Sequence, residues 1–357
     1  MKLENNNNKK SILIGRTLVF ILCLALGFTS CSKDDDTEEL TPPRDRGEQQ
    51  VVDKDSLIVY LESHYYNSDD FESNPNPTIS DIVITKLNDG ESVPVGSTLL
   101  MESSLLSVHA ITYADTEYEF YVLKLNQGGG DDKPTFADDV RVIYEGFLMN
   151  GFVFDKNNQV PSDFDLITRV ELEGWRRVLP LFNTAESFNE NGDGTISFLN
   201  KGIGIMFLPS GLGYYANAQR EIPAYSPLIF KFELLQMFEN DHDGDGIPSY
   251  LEDLNGDGQF TINYENSKDP NDDDTDGDFY ANYTDTDDDG DGILTKNEIV
   301  ITTHNMPTRA EVVSMPLQSN QVLLNKIVKE QNGTYTGKVI TFTDTDSDGI
   351  PDYLDNK

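Results

Sequence analysis

The sequence predicts an α+β fold that gives way, over its last third, to a loop-rich acidic region. Three observations carry this. Tracts rich in Val, Ile, Leu and Tyr recur at 82–87, 99–112, 118–125, 140–146 and 228–234, broken by Asn-Asp-Gly, Gly-rich and Pro-containing stretches, as strands are. One early segment, 53–66, sets Leu57, Tyr60, Leu61 and His64 on one helical face, with Asp53 or Ser56 as cap. Beyond residue 238 a repeated Asp-x-Asp-x-Asp-Gly pattern replaces hydrophobic periodicity.

The chain opens with Lys2, Lys9, Lys10 and Arg16 ahead of an apolar run from Thr17 to Leu26. That run is too short to span a bilayer and suits the core of a signal peptide over residues 1–30. It ends in Gly27-Phe28-Thr29-Ser30-Cys31, which resembles a bacterial lipoprotein box with Cys31 as the lipidated residue. Cys23, the other cysteine, follows bulky Leu22 and is a poorer fit. Ser32-Lys33-Asp34-Asp35-Asp36 resembles the acidic tag of surface-exposed Bacteroidetes lipoproteins, which implies the outer membrane and a lipid anchor. An ordinary polar linker is the alternative. With Cys31 acylated no disulfide remains, so another staple is expected for the loop-rich parts.

Residues 31–50 read as the lipidated cysteine and a disordered tether, and 51–116 as an N-terminal appendage without chemistry. His64 and His109 lack a partner at metal-ligand spacing and read as packing residues. The chain holds 26 basic and 63 acidic residues, a formal charge of −37. No basic patch is visible, which excludes nucleic acid as a partner class.

Between 117 and 238 a set of short pieces occurs in order: Val140 to Gly146, Gly151-Phe152-Val153-Phe154-Asp155, Gly174-Trp175, Leu208 to Tyr214, Glu221-Ile222-Pro223 and Leu228 to Leu234. The ordered set resembles an FKBP-type peptidyl-prolyl cis-trans isomerase domain. The resemblance implies a curved antiparallel sheet around a short helix near Trp175 to Leu181. It implies proline-containing unfolded or surface proteins as substrates, and no cofactor for catalysis. It also implies roles. Tyr144, Phe154, Trp175 and Phe230 would wall a proline pocket with Trp175 as its floor, and Leu172 and Ile222 would add aliphatic wall. The Leu172 N–H, Asp155 and the Tyr214 hydroxyl would meet the substrate backbone, with Phe164 behind. Three positions depart from the family pattern: Ser162 in place of an aromatic, Glu171 in place of Val, and Tyr215 in place of Gly. Glu171 would charge the rim, and Tyr215 would stiffen the flap or part-fill the mouth. Within an insertion, 183–204, the run Asn189 to Ile196 reads either as an oxygen-ligand loop or as an Asn-Gly hairpin turn.

Residues 239–357 form the acidic region. Between Glu239 and Glu298 stand 20 acids against Lys268 and Lys296. Calcium loops place side-chain oxygens at positions one, three and five, Gly at six, a backbone carbonyl at seven and a carboxylate at twelve. Three stretches comply: Asp241, Asp243, Asp245, Ile247, Glu252; Asp287, Asp289, Asp291, Ile293, Glu298; and Asp344, Asp346, Asp348, Ile350, Asp355. Asp253-Asn255-Asp257 and Asp272-Asp274-Asp276 read as partial copies. Pro248 and Pro351 argue against EF-hand helices, and Asp-Gly-Ile-Pro-Asp-Tyr-Leu-Asp resembles thrombospondin type-3 repeats. The loop at Asp287 has Leu294 instead and leaves an EF-hand open. Structural calcium is the expected staple. A helix is expected at 318–330 and a hairpin at Asn332-Gly333.

The reading is a lipid-anchored isomerase of the cell envelope with a calcium-stiffened C-terminal region. The alternative is a catalytically weak scaffold used for binding or adhesion. If Cys31 is the lipidated residue, Cys31→Ser abolishes metabolic labelling with fatty acid and releases the protein from membranes. Label that persists in the variant contradicts this.

Overall fold

The structure, a computed structural model, describes residues 42–169, 172–266 and 269–357. Cys31 and the signal segment lie outside these, as does Glu171. The chain divides into Met1–Pro43 and Arg44–Lys357, and the second unit holds every element below.

Helix α1 (Arg46–Ser63) starts earlier than its apolar face suggests, because Asp45 caps it by accepting the Glu48 N–H at 2.9 Å. Its first turns bury Gln49 and Gln50, so the expected tether over 31–50 is helix from Arg46 onward. A three-stranded sheet follows, built from β1 (His64–Tyr66), β2 (Ile84–Lys86) and β3 (Thr98–Leu99), with helix α2 (Ser68–Ser73) between the first two. His64 stacks on Tyr60 at 3.8 Å, a packing role.

The large sheet is antiparallel throughout. It contains β4 (Leu106–Tyr113), β5 (Thr116–Asn126), β6 (Asp139–Leu148) and β7 (Val153–Asp165). Helix α3 (Glu173–Val178) and the hairpin of β8 (Ser187–Glu190) and β9 (Ile196–Leu199) come next, then β10 (Gly202–Leu208) and β11 (Leu228–Phe238). The strand order is β4-β5-β10-β11-β6-β7. The expected boundary at 116/117 cuts the β4–β5 hairpin. Its turn residues Ala114 and Asp115 have φ of 48° and 58°, the twist that a two-residue hairpin needs, so β4 belongs to the main sheet. The insertion turn is a hairpin turn: Asn191 donates its N–H to the Thr195 carbonyl at 2.8 Å, and Asp193 accepts from the Thr195 N–H and hydroxyl. Asp193 belongs to none of the carboxylate groups found among the described residues.

Strand alternation sorts the core into two faces. Tyr118, Phe120 and Val122 of β5, Met206 and Leu208 of β10, and Phe230, Phe232 and Leu234 of β11 pack around α3. Their neighbours Tyr121, Leu123, Ile203, Ile205, Phe207 and Ile229 pack against α1 and the small sheet. Register shifts at Val142/Tyr144 and Gly146/Phe147 in the β6–β7 pair, and at Leu234/Gln236 in β11–β6, bend the sheet around α3.

A second sheet closes the chain: β12 (Ile299–Met306), helix α4 (Arg309–Val313), β13 (Gln321–Leu323), β14 (Val328–Lys329) and β15 (Tyr335–Phe342), with β15 central. The expected helix at 318–330 is absent. Val322 and Val328 pair with β15 instead, Leu324 donates its N–H to the Lys338 carbonyl, and Asn320 binds the Phe342 carbonyl through its side chain. Sheet pairing outweighs helical periodicity here. The hairpin at Asn332-Gly333 is present. Among the described residues no helix is long and apolar enough to cross a membrane.

One buried pair ties the large sheet to the segment that carries Ile79. Lys201 Nζ lies 3.4 Å from Glu233, both side chains almost fully buried, and Glu233 also accepts the Ile79 N–H at 2.7 Å. Burial pushes Glu233 upward, opposed by Lys201 and the Ile79 N–H. Removing one partner of such a pair costs about 3–5 kcal/mol. Lys201→Met therefore lowers unfolding free energy in urea by about that amount, and adding Glu233→Gln restores most of it. Equal loss in the single and double variants contradicts this.

Candidate functional site

The short helix α3 exists to place one indole. It is too short to be stable alone, and it is braced by an internal ion pair and tied to the turn before it. Arg177 Nε binds Glu173 at 2.6 Å, and Arg176 donates to the Ile167 carbonyl at 2.8 Å. Leu172 stands at its N-cap with extended backbone, its carbonyl accepting the Trp175 N–H at 3.2 Å. Trp175 is 3% exposed. Four rings enclose it: Phe230 at 5.0 Å, Phe164 at 5.6 Å, Tyr144 at 5.8 Å and Phe232 at 5.9 Å. Most meet it edge to face, the favourable arrangement for aromatic quadrupoles.

Phe154 stands edge-on to Phe230 at 5.5 Å. Gly146 on β6 permits this approach, since a Cβ there would lie 2.6 Å from Phe230 and 2.7 Å from Phe154. Phe154, Tyr144 and Tyr214 are half-buried, and Asp155 is exposed. The Tyr144 hydroxyl donates to Asp155 Oδ2 at 2.7 Å, and burial, then Asp155, raises the tyrosine above its ordinary pKa. Tyr214 packs on the same core. A turn between Gln219 and Ile222, bonded in both directions, sets Ile222 against that core at 5% exposure. The geometry thus gathers Tyr144, Phe154, Asp155, Leu172, Trp175, Tyr214, Ile222 and Phe230 around one apolar centre with a polar lip. Ser162 receives the Asn157 amide at 2.7 Å. The Tyr215 ring packs on Tyr225 rather than serving the aromatic cage.

In the acidic region the first aspartate of each loop has a backbone role. Asp241 accepts the N–H groups of Gly244 and Gly246, and Asp344 those of Ser347 and Gly349. Asp253 does the same with Gly256 and Gly258, and Asp274 with Gly277 and Phe279. Positions four and six have positive φ in all these loops and in the loop from Asp287, which is why Gly dominates there. The copy expected to start at Asp272 starts at Asp274. Its third and fifth residues are Asp276 and Asp278, its sixth is Phe279 at φ 80°, and its twelfth is Asp285. Leu294 is extended like Pro248 and Pro351, and each is followed by a single 3-10 turn that delivers Glu298, Glu252 and Asp355. The EF-hand alternative at Asp287 is therefore not what forms.

Four carboxylate groups result, each with oxygens within 4.8 Å of one another: Asp243, Asp245, Glu252 and Asp288; Asp274, Asp276 and Asp278; Asp287, Asp289 and Asp291; Asp344, Asp346 and Asp348. The first is buried and joins two loops through Asp288. Both oxygens of Glu252 and of Asp288, and one each of Asp243 and Asp245, have no hydrogen-bond partner. Burial, then neighbouring carboxylates, pushes Glu252 up to about 11 and Asp288 to about 9. Two like charges 4 Å apart repel by about 4 kcal/mol at an effective dielectric of about 20. Four together need a cation or protons. The donor set is oxygen only, which fits a hard cation such as calcium. Glu298 is pushed to about 7 by burial and by Asp289 and Asp291. The Asp344 loop is partly neutralised by Lys357, which pairs with Asp348 and Asp355.

Known proteins resemble two segments of this chain. A family model described as BamM C-terminal matches residues 242–326. The FKBP-type peptidyl-prolyl cis-trans isomerase FkpA of Buchnera aphidicola subsp. Schizaphis graminum (strain Sg) is 31% identical over 111 residues, 31% of this chain and 37% of that protein. The match therefore spans little more than a third of that relative. A crystal structure of a peptidyl-prolyl cis-trans isomerase from Pseudomonas syringae pv. tomato is 26% identical, covering 33% of this chain and 74% of that one, at a TM-score of 0.27. The chain thus contains a segment distantly similar to FKBP-type isomerases and one similar to the BamM C-terminal family.

Sequence reasoning missed Phe232, Asp288 and Asp285. Phe232 alternates with Phe230 along β11, a signal that was available. Asp288 sits at position two of its loop, where the spacing assigns no ligand, and only the packing of two loops brings it to the first group.

Proposed function

We propose that the chain is an FKBP-type prolyl isomerase of the cell envelope, acting on Xaa-Pro bonds of unfolded or surface proteins and held to the outer membrane by lipid on Cys31. The observation that supports it most is the enclosed Trp175 with the Tyr144–Asp155 pair at its lip. Rotation about an Xaa-Pro amide faces a barrier of about 18–20 kcal/mol because resonance flattens the bond. The twisted state is less polar than the planar one, so an apolar enclosure favours it. Trp175 would floor the proline ring, with Tyr144, Phe154, Leu172, Ile222 and Phe230 as walls. The Leu172 N–H would hold one substrate carbonyl and the Tyr214 hydroxyl the backbone beyond the proline. Asp155, fixed by Tyr144, would face the carbonyl that rotates.

The chain from Ser32 onward is expected to accelerate cis/trans exchange of an Ala-Leu-Pro-Phe peptide. Phe154→Ala and Trp175→Leu are each expected to lower kcat/KM by about tenfold or more, a loss of about 1.4 kcal/mol or more in transition-state binding. Exchange at the uncatalysed rate with the unaltered chain would remove the enzyme reading.

Calcium belongs to the same proposal as a structural ion. Asp243, Asp245, Glu252 and Asp288 would hold one ion between two loops. Asp287, Asp289, Asp291 and Glu298 would hold another, and Asp344, Asp346, Asp348 and Asp355 a third. The ions would neutralise the carboxylates and cross-link the loops. Chelation is expected to expand the chain in small-angle scattering and to lower the melting temperature of the acidic region. Asp288→Asn is expected to weaken the tightest calorimetric site at least tenfold. No heat and no contraction at millimolar calcium would leave only a solvated acidic tail.

A further inference from the structure

The loop that carries Tyr214 and Ile222 is fastened at both legs by residues 44–53. Asp53, on α1 and 1% exposed, turns Oδ2 to the Ser210 N–H at 2.7 Å and to the Ser210 hydroxyl at 2.5 Å. Its other oxygen accepts the Gln49 amide at 2.7 Å, and Gln49 in turn accepts Arg44 Nη1 at 2.7 Å. Arg46 Nη1 donates to the Tyr118 hydroxyl at 2.9 Å and the Gly211 carbonyl at 3.4 Å, and its guanidinium lies 4.3 Å over the Tyr215 ring. At the far leg the Arg44 N–H donates to the Tyr225 hydroxyl at 3.1 Å, and its guanidinium lies 4.3 Å from that ring. The Tyr215 hydroxyl donates to the Arg44 carbonyl. Tyr215 and Tyr225 meet edge to face at 5.2 Å and are joined by a backbone bond of 2.6 Å.

Core packing alone does not call for this. A carboxylate in Asp53's position is a poor core residue, and its burial is offset by the bonds from Ser210 and Gln49 and by the charge of Arg44. Tyr215 holds a φ of 48°, a conformation unfavourable for a bulky residue. Arg46 of the strap lies over its ring and the Arg44 carbonyl takes its hydroxyl, while Tyr225 at the other leg of the loop packs against it.

We propose that Arg44–Asp53 is a positioning strap that fixes the loop 210–225, so that Asp53, Arg46 and Tyr215 set substrate affinity without touching substrate. This rests on the isomerase reading above. The strap is a set of positioning residues, and its signature is a KM effect. With the loop loosened, the Tyr214 hydroxyl and the Ile222 wall are less often in place, while a substrate that has bound still rotates in the Trp175 enclosure.

The test compares the chain from Ser32 onward with Asp53→Ala, Asp53→Asn, Arg46→Ala and the control Lys54→Ala. Lys54 is on the same helix and pairs with Glu119, away from the loop. KM and kcat are read on the proline tetrapeptide, and amide hydrogen exchange is read across the chain. Asp53→Ala and Arg46→Ala are expected to raise KM about tenfold with kcat within about twofold, and to speed exchange in 210–225 but not in 140–146. Asp53→Asn keeps an acceptor for Ser210 and restores most of the affinity. Lys54→Ala changes neither readout. Unchanged KM and unchanged loop exchange in Arg46→Ala and in folded Asp53→Ala overturn the strap, as does a loss in kcat alone. If the unaltered chain shows no turnover, the isomerase reading falls. The exchange pattern then decides the strap: acceleration confined to 210–225 supports it, and no acceleration overturns it.

Discussion

A single enclosed indole organises the isomerase-like part of the chain. Trp175 is large, rigid and polar at one edge, so it is seldom wholly buried. Enclosing it demands rings from three separate strands: Tyr144 from β6, Phe164 from β7, and Phe230 and Phe232 from β11. Strands bring rings from so many directions only if the sheet curls, and the register shifts in β6, β7 and β11 supply the bend. Helix α3 has no stability of its own. It persists because Glu173, Arg176 and Arg177 tie it down and because Gly174 lets it lie against Leu208.

The same helix meets the acidic region. Arg177 Nη1 donates to the Asp257 carbonyl at 3.0 Å, within a loop that keeps the turn of its neighbours but has Tyr264 at the twelfth place. His242 faces Asp165 and stands edge-on to Tyr283, which stacks on Phe260. The acidic loops are therefore packed on the isomerase-like part rather than trailing from it. Their interior has little apolar content: Ile247, Ile299, Leu324, Ile340 and Tyr353 form a small cluster. Carboxylates occupy the space where a larger core would be, so the order of these loops depends on what neutralises the charge.

The sequence is most legible where backbone and side chain repeat together. The Asp-x-Asp-x-Asp-Gly spacing exposes the loops because each first aspartate has to reach two N–H groups at fixed offsets. It misleads at 272–285, where Phe279 takes the place of the sixth-position Gly and hides the true register. Strands of the large sheet are legible from Val, Ile and Phe alternation. The helix expected at 318–330 is not formed, because its apolar residues serve equally well as short strands once β15 is beside them. Contacts across long separations are illegible in principle. Asp53 bonds Ser210, and Ile79 bonds Glu233, and no local pattern announces either partner.

Because the chain has one tryptophan beside 16 tyrosines, emission excited at the red edge, where tyrosine does not absorb, reports the proposed proline site. Titration of the chain from Ser32 onward with an Ala-Leu-Pro-Phe peptide is predicted to change Trp175 emission saturably. The same peptide with Ala in place of Pro should leave it unaltered. Identical, non-saturating responses to the two peptides would contradict the assignment of the Trp175 enclosure as a prolyl-binding site.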